Sequence, residues 1–186
     1  MRPFYIMIKV LGLDISSATI GWSILSMEEG EVSLSGYGHI SPPKSKAGSL
    51  TFRASKAFDQ VLDLIAEKSP EIVVVESYAN KFPAGRSTAR TIIVLSVFNE
   101  IVSMAALRSL GQDPERYPVV TIRSKLSKLA GKKISSKEEC FDFICDYFPA
   151  FTVRKNRNDN ISKECFDEAD AIAAALTYYV KEILGE

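Results

Sequence analysis

The sequence predicts an α/β domain in which a mixed five-stranded sheet is covered by helices on both faces. Three strand-like segments come first along the chain, and helix-like and strand-like periodicities then alternate. Residues 72–76 form an uninterrupted apolar, β-branched run that ends in an acid, which is typical of a strand buried on both faces. The chain has 186 residues, of which 46% are hydrophobic. This length holds one domain with a full core, so we expect a single domain over residues 1–186.

Three strands open the chain. Residues 10–14 and 21–25 are apolar runs joined by a polar turn at residues 16–19, which predicts a β-hairpin. Residues 31–40 alternate well enough for a third strand, and the prolines at 42–43 end it. We therefore expect an antiparallel edge on this side of the sheet, with parallel strands to follow.

Helices and strands alternate after residue 50. Apolar residues spaced i, i+3, i+4, i+7 predict an amphipathic helix over residues 50–67, which Ser69 and Pro70 end. After the strand at residues 72–76, a second helix is expected over residues 87–110, ending at Gly111. The remaining predictions are a strand over residues 117–122, a helix over residues 136–147, a polar basic loop over residues 150–163 and a last helix over residues 167–184.

The second predicted helix is apolar around nearly its whole circumference. Such a helix is buried on more than one side. One face can pack on the sheet, and the remaining surface requires another partner. Two partners fit this pattern: the second subunit of a homodimer, and the third predicted helix of the same chain.

Composition limits which residues could carry out catalysis and indicates the redox compartment of the protein. The apolar run at residues 91–107 contains Asn99 and Glu100 and is shorter than the roughly 20 residues of a membrane span, so no membrane span is expected. Residues 1–9 lack a small-residue cleavage site, which argues against a signal peptide. The three cysteines lack C-x-x-C spacing and are expected to be free thiols in a reducing compartment. A single histidine, His39, leaves any catalysis to carboxylates.

The formal net charge of zero conceals a strong asymmetry. Residues 81–137 contain eleven Lys or Arg and three acidic residues, whereas residues 138–186 contain eleven acidic residues and five Lys or Arg. Residues 123–137 hold six bases and no acid. A block of like charge is often only a solvated face. A basic tract beside an acidic one also suits a phosphate-binding groove that ends at a metal site.

Four carboxylates stand at positions where open α/β sheets keep their sites. Asp14 closes the first strand, Glu76 closes the fourth, and Asp167 with Asp170 begins the predicted last helix. Residues at i and i+3 share one side of a helix. Taken singly, these acids also fit a turn, a strand end or a helix cap. Taken together they would repel one another, and hard divalent cations with oxygen ligands supply the compensation.

Four segments, in this order along the chain, resemble RuvC-type Holliday junction resolvases of the RNase H-like nuclease superfamily. The counterparts are a strand, Asp, turn and Gly-aromatic strand at residues 10–25; a fourth strand with its Glu at residues 70–76; a strand and a glycine-to-lysine segment within residues 117–137; and a final helix with two acids at residues 167–173. The match extends over nearly the whole chain. The longer N-terminal tail, Ser16 and the basic loop at residues 150–160 depart from the pattern.

The resemblance implies an RNase H-like fold and a magnesium-dependent endonuclease that acts as a homodimer on four-way DNA. It implies two Mg²⁺ ions, replaceable by Mn²⁺, that are held by Asp14, Glu76, Asp167 and Asp170 and clamp the scissile phosphate. Asp14, on the central strand, is the candidate to bridge both ions. Glu168 points about 100° away from its neighbour and is a poorer ligand. A divergent, phage-type member in the cytoplasm of a bacterial or phage-infected cell, or in another reducing compartment, fits these features.

Nucleic-acid contacts are expected from the basic residues and from one aromatic side chain. Lys137 is expected near the reacting phosphate, and it also fits a solvent-exposed lysine at a helix N-terminus. Phe82, in a loop beyond Glu76, is expected either to stack on a base at the branch point or to anchor its loop in the core. The other candidates, which would contact phosphates without reading sequence, are Arg86, Arg90, Lys125, Lys128, Lys132 and Lys133.

Three functions fit the sequence. The first is a junction-resolving endonuclease. The second is an RNase H-like nuclease for flaps, branched replication intermediates, RNA or an RNA–DNA hybrid. The third is a non-catalytic nucleic-acid-binding module on the same fold. The presence of all four acids favours an enzyme, and the extensively apolar helix favours the dimeric resolvase.

Overall fold

A computed structural model describes residues 7–77 and 89–185. Its strands are β1 (Ile8–Ile15), β2 (Ile20–Glu28), β3 (Glu31–Ile40), β4 (Ile72–Ser77) and β5 (Glu115–Pro118). They form one sheet in the order β3-β2-β1-β4-β5. The first three strands pair antiparallel, whereas β4 lies parallel to β1 and β5 lies parallel to β4. The predicted mixed five-stranded sheet is confirmed.

The described ranges contain α-helices on both faces of this sheet, as expected. They are α1 (Leu50–Lys68), α2 (Ala89–Leu110), α3 (Val119–Ala130), α4 (Lys137–Tyr147) and α5 (Lys163–Tyr178). Because side chains alternate along a strand, Val10 and Val74 face the layer of α3, α4 and α5, whereas Leu11 and Val75 face α1 and α2. Each face therefore has its own apolar core. The three cysteines are free thiols.

Two glycines allow α5 to lie directly on the sheet. A Cβ at Gly12 would lie 2.1 Å from the carbonyl oxygen of Ala171, and a Cβ at Gly21 would lie 2.0 Å from that of Asp167. Neither backbone contact can relax by a side-chain movement, so only glycine fits at these positions. The close approach brings the acidic side chains of α5 to the ends of the central strands.

The strand predicted over residues 117–122 is present as β5, but its predicted bounds are wrong. Strand β5 ends at Pro118, and the β-branched residues that follow it form the first turn of α3. Pro118 has extended backbone angles and occupies the N-cap of that helix. Ile122 and Leu126 are buried four residues apart, whereas Val120 is 75% exposed, which is a helical and not a strand-like burial pattern. The local β propensity was overridden by packing on α5.

The boundaries of the last helix also differ from the prediction. Helix α5 begins at Lys163, after Ser162 at the N-cap, so Asp167 lies in its second turn and does not open it. The α-helix ends at Tyr178, and a π-helical turn, Tyr179–Ile183, continues it. The helix predicted over residues 136–147 is confirmed as α4, with Ser136 as its cap.

Helix α2 packs on α1 and on the sheet, and its outer side is exposed. Phe98 and Val102 are fully buried, whereas Ile93, Met104 and Leu107 are about half exposed. The alternative that the third predicted helix covers α2 is wrong, because that helix, α4, belongs to the layer on the opposite face. By length and composition alone, α2 is the one helix in the described ranges that could cross a membrane. This is weak evidence, because core helices meet the same criteria, and 33% of the apolar window of α2 is buried inside the structure.

Candidate active site

Three of the predicted acids line one small pocket at the carboxyl ends of the central strands. Strands β1 and β4 run parallel with Leu13 opposite Val75, so Asp14 and Glu76, one residue further, lie side by side at the same edge. Asp170 reaches them from α5. Together with Lys137 and Arg123 they line a cavity of about 220 Å³, which we call the carboxylate pocket.

Asp167 lies beside this pocket and not among its lining residues. It lines a neighbouring hollow that shares Lys137 with the carboxylate pocket. One side-chain oxygen of Asp167 is 3.9 Å from the Lys137 ammonium nitrogen; burial raises the pKa of Asp167, and the Lys137 charge offsets part of that rise. Asp14, Glu76 and Asp170 therefore line the same pocket, and Asp167 lies near them through Lys137.

The electrostatics of the pocket oppose full ionisation of its acids. Burial raises the pKa of Asp14 well above its usual value, and the charges of Glu76, Asp170 and Asp167 raise it further. Burial, followed by the charge of Asp170, raises the pKa of Glu76 to about 7. Burial also raises the pKa of Asp167 and of Asp170. Such shifts are typical of groups that are held together for a function and not for stability.

Lys137 supplies part of the missing positive charge. Its Nζ lies 2.6 Å from Oδ2 of Asp170. Burial lowers the pKa of Lys137, but the charge and hydrogen bond of Asp170 outweigh it and raise that pKa, so the ammonium group stays charged. A capping box between Ser136 and Glu139 fixes the first turn of α4, which carries Lys137. Lys137 thus begins α4 with its side chain 42% exposed, as the solvent-lysine interpretation expects, and its ammonium group also pairs with Asp170.

Arg123 is a pocket residue that the sequence analysis did not select. It projects from α3, lines the carboxylate pocket, and lowers the pKa of both Glu76 and Asp170. Its Nη1 donates a hydrogen bond of 2.8 Å to the carbonyl of Ser135. A strand over residues 117–122 leaves no helix that would carry Arg123 toward the acids, which is why the sequence does not predict it. The spacing of Ile122 and Leu126 was the signal for a helix that would carry Arg123 beside the acids.

A basic hollow adjoins the carboxylate pocket at Arg123. This cavity of about 710 Å³ is lined by Lys128, Lys132 and Lys133 together with Arg123. Lys125 lies on the same helix but does not line the hollow. Arg90 is exposed in the first turn of α2, and the structure does not bring it to the pocket. Phe82 and Arg86 lie outside the described residues.

Cys140 borders the carboxylate pocket, whereas Glu168 lies outside it. Cys140 lines the carboxylate pocket, and burial followed by the charge of Asp170 raises its pKa to about 12, so it stays a neutral wall. Glu168 faces away from the pocket, as its helical position predicts. Its carboxylate pairs with Arg154 and His39. Within residues 7–77 and 89–185, no three Asp, Glu, His or Cys side chains are grouped so that they could hold a metal ion as they stand.

Comparisons with known proteins bear on the fold. No family model matches the chain, and no curated protein matches it. RuvC of Thermus thermophilus superposes with a TM-score of 0.68 at 20% identity, covering 96% of this chain and 97% of that one. The T. thermophilus RuvC in complex with a Holliday junction substrate gives 0.70 at 18% identity, with the same coverage. The yeast mitochondrial Holliday junction resolvase Ydc2 gives 0.63 at 15% identity, covering 96% of this chain and 80% of that one.

The likeness extends over nearly the whole chain, and at these identities it concerns the fold. It agrees with the segment order that the sequence analysis used, from the hairpin with Asp14 to the final helix with Asp167 and Asp170. The chain therefore has the RNase H-like fold of the RuvC-type Holliday junction resolvases.

Proposed function

We propose that the protein is a metal-dependent, structure-specific endonuclease that cleaves phosphodiester bonds in four-way or otherwise branched DNA. The observation that carries this proposal is the carboxylate pocket itself. Three half-buried acids with raised pKa values meet at the carboxyl ends of β1 and β4, a fourth lies beside them, and a basic hollow adjoins them. A purely structural cluster of this kind would only destabilise the protein.

The chemistry of the donor set fits hard divalent cations. The side chains of Asp14, Glu76, Asp167 and Asp170 offer only oxygen ligands, which Mg²⁺ and Mn²⁺ prefer. These four residues would hold the metal once Asp170 releases the Lys137 ammonium group. The resemblance to RuvC-type resolvases implies two ions. Bound metal supplies activation of water and stabilisation of the leaving oxygen. Before metal binds, Lys137 takes the place of that positive charge.

The cations of the pocket have separate tasks in this proposal. Lys137, released from Asp170, remains at the rim and contacts the phosphate that reacts. Arg123 stands between the acids and the basic hollow, so it contacts either that phosphate or the next one along the strand. Lys128, Lys132 and Lys133 hold further phosphates, which gives affinity without sequence preference.

We also propose that the protein acts as a homodimer through the exposed side of α2. Ile93, Met104 and Leu107 are exposed at i, i+11 and i+14, so they share one helix face within about 60°. Apolar side chains grouped in this way on a long helix are typical of a subunit interface. Two copies would present two carboxylate pockets to two strands of one junction. Met104→Glu with Leu107→Glu should give a monomer in sedimentation, and a wild-type monomer would contradict the proposal.

The test of activity is cleavage of a synthetic four-way junction beside duplex, flap and RNA–DNA hybrid substrates in Mg²⁺. We expect the junction to be cut fastest, and Asp14→Asn and Glu76→Gln each to lose more than about 99% of the rate, because removing one ligand of a catalytic metal costs several kcal/mol. Asp142→Asn, an exposed acid on α4, is the matched control. Fastest cleavage of the flap or of the hybrid would assign the second function, and cleavage of none would assign the non-catalytic one.

A further inference from the structure

The loop between α4 and α5 is an ordered hairpin and not an irregular connection. Lys155 pairs with Ile161 in an antiparallel bridge, and the Ser162 amide donates to the carbonyl of Arg154 at 2.9 Å. At its tip, the Asn156 side-chain oxygen accepts hydrogen bonds from the amides of Asn158 and Asn160 at 2.8 and 3.2 Å. We call residues 154–163 the basic hairpin.

A buried carboxylate fixes this hairpin to the body of the protein. The Glu168 side chain is 1% exposed, and its two oxygens accept from Nη2 of Arg154 at 2.5 and 2.6 Å. Nδ1 of His39, on β3, lies 2.8 Å from the same carboxylate. The Thr152 amide donates to the Tyr37 hydroxyl at 2.9 Å, so a second contact joins the hairpin segment to β3. The hairpin is thus held in one orientation at the β3 edge of the sheet.

Two cations of the hairpin are available to a ligand. Arg154 is occupied by Glu168, and Lys155 pairs with Asp159 at 3.0 Å. Arg157, at the tip, and Lys163, at the base, make no ion pair with any residue in the described part of the chain. Both are solvent-exposed.

One of these cations, Lys163, lines a hollow that adjoins the carboxylate pocket on the side away from the basic hollow, and Arg157 lies at the tip of the same hairpin. A hollow of about 440 Å³ is lined by Lys163 and Phe166 together with the acids Glu138, Glu164 and Asp167, and Lys137 forms the wall that it shares with the pocket. The basic hollow belongs to α3, which follows the edge strand β5, whereas the hairpin is fixed to the other edge strand, β3. Strands β1 and β4, which carry the catalytic candidates, lie between these edges.

We infer that the basic hairpin is a second phosphate-contacting surface, and that the nucleic acid crosses the carboxylate pocket from the basic hollow to Arg157 and Lys163. This inference rests on the proposed function and adds the path of the substrate to it. A strand that is cut within the pocket must leave it in two directions. One direction leads past Arg123 to the lysines of the basic hollow. The other leads past Lys137 and the Phe166 ring to the hairpin.

The experiment measures junction binding in Ca²⁺ as a function of salt concentration. Arg157→Gln with Lys163→Gln should make the slope of log K against log salt shallower by about 1 to 2, since each lost phosphate contact removes about 0.9. The matched control is Lys56→Gln with Lys68→Gln, which removes two charges from α1 on the other face of the sheet and should leave the slope unchanged. A slope equal to that of the control pair would overturn the inference.

Phosphate ethylation interference on one labelled strand then locates the contacts. With the wild type we expect interfering phosphates on both sides of the cut. Arg157→Gln with Lys163→Gln should abolish one set, and Lys132→Gln with Lys133→Gln should abolish the other. If both double variants abolish the same set, the proposed path is wrong while the nuclease proposal stands. If the wild type binds no branched DNA, both proposals fall together.

Discussion

The carboxylate pocket and the cluster around Glu168 each contain an acidic side chain of α5, Asp170 and Glu168, two residues apart, but they balance charge differently. In the cluster, a single buried carboxylate meets the Arg154 guanidinium and the His39 ring. In the pocket, three acids meet Lys137 and Arg123, and the pKa of Glu76 rises to about 7. The satisfied cluster stabilises the fold. In the pocket, burial and mutual repulsion oppose ionisation of the acids, and the two cations offset this only in part.

Breaking the satisfied cluster should have the largest effect on stability. Arg154→Met leaves the Glu168 carboxylate buried with only His39 as partner, so we expect the free energy of unfolding to fall by about 3 kcal/mol. The double variant Arg154→Met with Glu168→Leu should recover most of this loss, because an apolar pair replaces the buried ions. Urea unfolding measures both. Lys155→Met, which breaks the exposed pair with Asp159, is the control and should cost less than about 1 kcal/mol.

An Arg154→Met variant as stable as the control would mean that Glu168 finds its charge balance elsewhere. The cluster would then not differ from an exposed ion pair, and the anchor of the basic hairpin would have to be the contact between Thr152 and Tyr37.

The pocket should show the opposite behaviour, and pH exposes it. The folded-state pKa of Glu76, about 7, lies above its usual 4.5. Between these values the folded state keeps a proton that the unfolded state has lost, so the stability of the wild type falls as the pH rises from about 4.5 to about 7. Glu76→Gln lacks this loss. In EDTA its advantage over the wild type should grow across that range, by on the order of 2 kcal/mol.

Urea unfolding at several pH values checks this prediction. Glu31→Gln, an exposed acid on β3, serves as the control, and its difference from the wild type should stay nearly constant with pH. If Glu76→Gln also keeps a constant difference, burial of that carboxylate is not a cost in the folded protein, and the contrast with the Glu168 cluster fails.

The same contrast separates what the sequence could predict from what it could not. Strand β3 was predicted to the residue, and the alternation that reveals it depends only on local burial. Asp14, Glu76 and Asp170 were found because each follows a regular local rule, a strand end or a helix face. The residue pair Arg154 and Glu168 spans a hairpin, and His39 lies 129 residues from Glu168, so no local pattern announces either contact.

Helix α3 was missed for a related reason. Its first turn is β-branched, and local propensity there favours a strand, whereas contacts with α5 and α4 select the helix. Arg123 was lost with it, although it is the cation that joins the carboxylate pocket to the basic hollow. Long-range packing therefore decided the part of the site that the sequence analysis did not find.

The smallest predicted effect is the most direct test of the charge excess. Asp14 is half-buried among acids that raise its pKa, so Asp14→Asn should be more stable than the wild type in EDTA, by on the order of 1–2 kcal/mol after solvent screening. In several millimolar Mg²⁺ the difference should shrink or reverse, because the wild type gains binding stabilisation that the variant partly loses. Melting curves of the wild type and of Asp14→Asn, each in EDTA and in Mg²⁺, measure this difference in stability. If Asp14→Asn melts below the wild type in both conditions, Asp14 is a structural turn residue like Ser16, and the carboxylate pocket holds no excess that a metal would relieve.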